Sequence, residues 1–76
     1  MYQVTAIYQD AEIGYGEGDG YQYAMMECME SVERIYLCDV DNINLVARKE
    51  GSIVTVETPM SLYMTEVYRS KRAFIN

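Results

Sequence analysis

Residues 11–23 read AEIGYGEGDGYQY, with glycines at 14, 16, 18 and 20, acids and tyrosines among them, and no basic side chain. A glycine-rich turn between a strand and a helix is the setting in which backbone N–H groups cradle phosphate. The spacing that does so is G-x-G-x-x-G. Counted from Gly14 its last place holds Asp19, and counted from Gly16 it holds Tyr21. No Gly-Lys-Ser/Thr is present, and Glu17 and Asp19 put negative charge where a phosphate would sit. The chemistry these residues offer is attraction of cations on another molecule. Asp10, Glu12, Glu17 and Asp19 surround the glycines, and Glu27, Glu30 and Glu33 follow. Tyr15, flanked by glycines, has no route into a core, and exposed tyrosine beside carboxylates is the composition of a protein-binding surface.

Other chemistry is thinly supplied. The chain has no histidine, so the usual proton shuttle near neutral pH is missing and both a serine triad and a Cys–His pair are excluded. Two carboxylates are the equipment of a glycosidase, but so short a chain cannot enclose a sugar cleft unaided. From Asp39, DVDNINLVARKE resembles a calcium loop at its first, third and twelfth places. Ile43 and Asn44 then stand where an oxygen ligand and a glycine are required, so the segment reads as a turn entering a strand. Cys28 and Cys38 lie ten apart without a CxxC, which suits two small, reduced, buried side chains in a cytosolic protein. No enzyme activity, cofactor or metal is expected.

The elements that must position these groups are few. Seventy-six residues make one domain, 1–76, which buries only about 60–65% of its unfolded surface. Residues 2–9, YQVTAIYQ, alternate as a strand does, while the glycines after them argue for a loop over 10–20. Tyr21, Ala24, Met25, Cys28, Met29, Val32 and Ile35 have the spacing of a helical stripe, predicting a helix over 20–34 capped by Asp19. Glu30 and Arg34 stand in the favourable i,i+4 order on it. Residues 35–38 fit the start of a strand, 39–42 a turn, and INLVARK (43–49) with IVTVE (53–57) a hairpin around Gly51.

From Thr58 and Pro59 onward the sequence fits a helix, with Met60, Tyr63, Met64 and Val67 on one face. A strand reading of 59–72 stays open, with helix favoured. The expectation is an α+β domain: a small antiparallel sheet of three strands, or four, with one central helix and a helix or strand at the end. Tyr2, Tyr8, Tyr36, Tyr63 and Tyr68 are expected to finish its core with hydroxyls at the edge.

Charge then sets the partners. Residues 1–33 hold seven acids and no Lys or Arg, whereas residues 34–76 hold five acids and all six cations. Direct nucleic-acid binding by the first part is disfavoured, since phosphate contacts come from cations. The first residues lack the cationic start and apolar run of a leader peptide. The longest apolar run, Ile35–Cys38, is far short of the ~20 residues of a membrane span, so a cytoplasmic protein is expected. Carboxylates three apart on a helix lie roughly 5–6 Å from each other, a spacing on the scale of phosphates along a DNA strand. In size and charge the chain resembles the small acidic phage-encoded inhibitors, the anti-CRISPR and DNA-mimic proteins, which share no motif. The resemblance implies a partner with a basic surface, such as a nucleic-acid-processing enzyme, and a host-cell cytoplasmic location. The competing expectation is a homodimer or larger homo-oligomer built on Met25, Met26, Met29 and the hairpin edge.

Overall fold

The computed structural model describes residues 1–63. Their order is β1 (Tyr2–Tyr8), β2 (Ala11–Gly18), α1 (Tyr21–Ser31), a 3-10 segment (Arg34–Asn42), β3 (Ile43–Lys49) and β4 (Thr55–Pro59). A short C-terminal helix opens at 60–63. The four strands form one antiparallel sheet in the order β2-β1-β3-β4, so the fold is α+β.

The two central strands carry the period-2 pattern that a sheet covered on one side requires. Val4, Ala6, Ile43, Leu45 and Ala47 are buried on one face, and register pairs Val4 with Ala47 and Ala6 with Leu45. The alternate positions Gln3, Thr5, Ile7, Asn44, Val46 and Arg48 occupy the other face, and none of them is fully buried. Ala24, Met25, Cys28 and Val32 close the core from above, and Met60 and Tyr63 close it from the C-terminal helix. Burying side chains the size of Met25, Ile43, Leu45 or Met60 stabilises by about 1.5–3 kcal/mol each. The edges are finished by tyrosine pairs in edge-to-face contact, Tyr2 with Tyr21 at 5.9 Å and Tyr8 with Tyr36 at 5.5 Å. Of the tyrosines expected at the core, Tyr68 lies outside the described residues, as do Met64 and Val67.

Several expectations are corrected. The glycine-rich stretch is not a loop: residues 11–18 are a strand. Asp19 does not cap α1. The N-cap is Gly20, with no side-chain hydrogen bond. The helix stops at Ser31 because Val32 turns extended (φ −76°, ψ 126°) and sends its side chain into the core. Arg34 therefore lies past the helix end and cannot be the i,i+4 partner of Glu30, and Ile35, expected on the buried stripe, is 70% exposed. Residues 35–38 belong to the 3-10 segment instead of a strand, and Cys38 is exposed where a buried thiol was expected. The 43–59 hairpin forms with Gly51 at φ 84° in its turn, though β4 begins at Thr55, two residues later than predicted. Pro59 ends β4, and the helix opens after it.

Candidate partner-binding surface

The surface is built on β2, and three devices place its side chains. The first is the β1–β2 turn. Tyr8 pairs with Ala11, leaving Gln9 and Asp10 as a two-residue connection with φ of 50° and 63°. Positive φ at both positions is the mirror-image turn whose twist matches a hairpin. The second is a register shift between Ala6 and Ile7: Ala6 pairs with Gly14, Ile7 with Glu12, and Ile13 is the extra residue between them. Such a bulge re-aims a side chain, and Ile13 packs against the core.

The third device is the glycine alternation itself. Gly14, Gly16 and Gly18 pair with Ala6, Val4 and Tyr2 and so share the face under α1. A Cβ on Gly16 would collide with the backbone nitrogen of Cys28 and lie 2.5 Å from the carbonyl oxygen of Ala24. One on Gly14 would lie 2.7 Å from Val32 Cγ2 and 2.8 Å from Ser31 Oγ. The glycines let the helix backbone rest on the strand backbone, a close approach for which a strand gives up propensity. The contacts pass from Gly18 beside Tyr23, through Gly16 beside Ala24 and Cys28, to Gly14 beside Ser31 and Val32. The helix thus runs antiparallel to β2.

Ser31 joins the two elements chemically. Its hydroxyl donates to the Cys28 carbonyl at 2.6 Å and accepts the Tyr15 backbone N–H at 2.8 Å. That N–H faces the outer side of β2, where no strand of the described residues pairs, so one serine caps a helix carbonyl and blunts a sheet edge.

Of the residues singled out in the sequence, Glu12, Tyr15 and Glu17 fall on this edge strand and Glu27 and Glu30 on α1. Asp10, Glu12, Tyr15, Glu17, Asp19, Glu27, Glu30 and Glu33 are all exposed. Tyr15 and Glu17 are brought together, the Tyr15 hydroxyl donating to Glu17 Oε2 at 3.1 Å. Partial burial, then that bond and the Glu17 charge, hold the Tyr15 hydroxyl above its ordinary range. Arg48, on β3, acts on Tyr15 in the opposite sense, and its guanidinium donates to Gln3 Oε1 at 2.9 Å. Glu27 follows the backbone that meets Gly16, and Glu30 precedes Ser31 on the last turn of α1. Asp10 and Asp19 are not gathered in. They stand beyond opposite ends of the eight-residue β2, roughly 30 Å apart at the ordinary strand rise. The acids make a stripe along the β2 edge, with Glu12 and Glu17 on the sheet face away from α1 and Glu27 and Glu30 on the helix that covers the other face, and they form no cluster.

Among the described residues no three His, Cys, Asp or Glu side chains converge as a metal site, and the ion pair present joins the N-terminal ammonium to Glu50 at 3.8 Å. None of the acids of the stripe is ion-paired among those residues. Met25 is fully buried, which takes it out of the expected methionine interface, while Met29 is partly buried and Met26, 44% exposed, stands at the surface. Burial pushes the Cys28 thiol up to about 11, so it is held as the neutral thiol.

Sequence reasoning missed Ser31, Gln3 and Arg48. Their signal is the meeting of segments distant in sequence, strand with strand for Gln3 and Arg48 and helix with strand for Ser31, which no local pattern carries. No family model matches the chain, and neither curated proteins nor solved structures yield a match. No described helix is long and apolar enough to cross a membrane.

Proposed function

We propose that this protein is a small acidic inhibitor that occupies the basic, nucleic-acid-binding surface of a partner enzyme, in the manner of anti-CRISPR and DNA-mimic proteins. One observation carries the reading. All seven carboxylates of residues 1–33 are exposed and none is ion-paired among the described residues, with Glu12 and Glu17 on the β2 edge strand and Glu27 and Glu30 on the helix over the other face of the sheet. Carboxylates left unneutralised on a rigid support project a negative field that steers a cationic surface toward them. The rigidity comes from the glycine contacts and from Ser31, so the acids need no ordering on binding, which lowers the entropic cost of association. Tyr15 adds an aromatic contact beside Glu17. The protein works without a cofactor and carries out no reaction itself.

The test is affinity capture from a nuclease-treated bacterial lysate, washed at rising salt and read by mass spectrometry. A basic nucleic-acid enzyme should be retained at low salt and released at high salt. The combined variant Glu17→Lys, Asp19→Lys, Glu27→Lys and Glu30→Lys should lose it while keeping the wild-type circular dichroism spectrum. Equal capture by that variant overturns the proposal.

A further inference from the structure

The opposite edge of the sheet has a different character. β4 is the outer strand there, and no strand of the described residues pairs with its free side. Ser52 Oγ takes the Val54 backbone N–H at 3.1 Å ahead of the strand and Pro59, which has no N–H, ends it, so among the described residues the open part of this edge is 55–58. Ile53, Val54 and Val56 are 97%, 68% and 56% exposed along it. Val56 pairs with Ala47 and so shares the core face of the sheet. There it borders an open depression of about 230 Å³, lined also by Tyr2, Tyr21, Ala47, Ser52 and Val54. Among the described residues α1 lies over the β2 side of the sheet and not over this one. An unprotected edge strand with apolar side chains is a template for pairing with another strand.

From this edge we infer that the occupant is a second copy of the chain, with β4 pairing antiparallel to β4 about a two-fold axis at Val56. Charge selects that occupant. The stripe on β2 would repel its own copy, but the β3–β4 hairpin carries Arg48, Lys49, Glu50 and Glu57, two charges of each sign. Two copies can therefore meet here without the repulsion they suffer elsewhere. The axis at Val56 sets Val56 against its counterpart, Val54 against Thr58 and Thr55 against Glu57. Apolar side chains then meet over the depression, and no two acids stand directly opposite. Arg48 pairs with Thr55, so the second copy's Glu57 falls in the same cross-strand row as Arg48. It lies two strand spacings away, roughly 10 Å. The product is a continuous eight-stranded sheet with both helices on one face and an acidic edge at each end. A closed two-fold pairing consumes both free β4 edges and stops there. The inference is independent of the acidic-stripe reading.

The test is sedimentation equilibrium of the full chain over rising concentration. The wild-type mass should climb toward twice the 8.8 kDa of one chain. Val56→Lys, and separately Val54→Lys in the exposed approach to β4, should hold it at one chain. Amide hydrogen exchange on the wild type gives a readout that does not depend on a variant's folding: protection across 53–58 should rise with concentration while that of β2 stays constant. A single-chain mass at every concentration overturns the inference, as does exchange at 53–58 that ignores concentration. Undiminished dimerisation of the two folded variants overturns it too. The four-lysine variant of β2 and α1 should keep the wild-type mass, so the two proposals fail separately.

Discussion

At the scale of single residues, Asp39, away from the acidic stripe, accepts a hydrogen bond on each carboxylate oxygen. Tyr8 donates to its Oδ2 at 2.6 Å and Asn42 donates to its Oδ1 at 2.6 Å. Two donors to the charged form hold the Asp39 carboxyl below its usual range, the Tyr8 bond contributing most, while the same bond raises the Tyr8 hydroxyl. The sign follows by linkage. A carboxyl whose folded pKa is depressed contributes stability above its unfolded value of about 4, and that contribution is lost as pH falls through the lower folded value. A tyrosine whose pKa is raised resists ionisation in the fold, so stability declines as pH climbs past about 10. Tyr8→Phe should move the Asp39 titration upward toward the ordinary carboxylate range, read by carboxyl carbon shifts in NMR. An unmoved titration would mean that Asn42, not Tyr8, holds the charge. The Tyr8–Asp39 bond spans 31 positions, and nothing in either local stretch announces it.

At the scale of elements, the contact between α1 and β2 organises the domain, and Gly16 is its tightest point. Gly16→Ala forces a methyl group into the backbone of Cys28 and Ala24, which cannot yield as a flexible side chain would. The expected loss is about 3 kcal/mol or more, beyond ordinary overpacking, measured by urea unfolding. Gly18→Ala is the control. Its Cβ would lie 3.1 Å from Tyr23 Cβ and 3.4 Å from the Ala24 nitrogen, which asks the first turn of α1 to give by only a few tenths of an ångström, and the loss should be about 1 kcal/mol or less. Equal losses would show that strand propensity, not helix approach, governs the glycines. The same contact explains why the strand was not legible. Glycine at 14, 16, 18 and 20 is the pattern of a loop when neighbours along the chain are all that is considered. Once a helix must lie on the strand, Gly14 and Gly16 are the positions where any side chain would collide with it. The hairpin 43–59 was legible because its strands bury alternate Ile43, Leu45 and Ala47, a signal local to the segment.

At the scale of the whole molecule, charge and topology act together. Seven exposed acids without a cation among them raise the self-repulsion of the compact state. Salt shortens the reach of that repulsion to about 10 Å at 0.1 M. The thermal midpoint should therefore rise between low salt and roughly 0.5 M sodium chloride, a fall marking instead a fold held by attractive pairs. The sheet order 2-1-3-4 separates the two edges: the acidic, serine-capped β2 and the apolar, charge-balanced β4 lie at opposite ends. The sheet order thus keeps the proposed partner surface and the proposed self-association edge apart.

The sequence by itself determined the fold class, the central strands, the helix on its apolar stripe and the sign of the charge on the first thirty-three residues. These follow from periodicity and composition, which act through near neighbours. Only the tertiary structure decided that the glycines form an edge strand, that Ser31 ties it to the helix, and that the acids form a stripe. Those features depend on which backbones meet across the sheet, and steric exclusion between distant segments there outweighs local propensity.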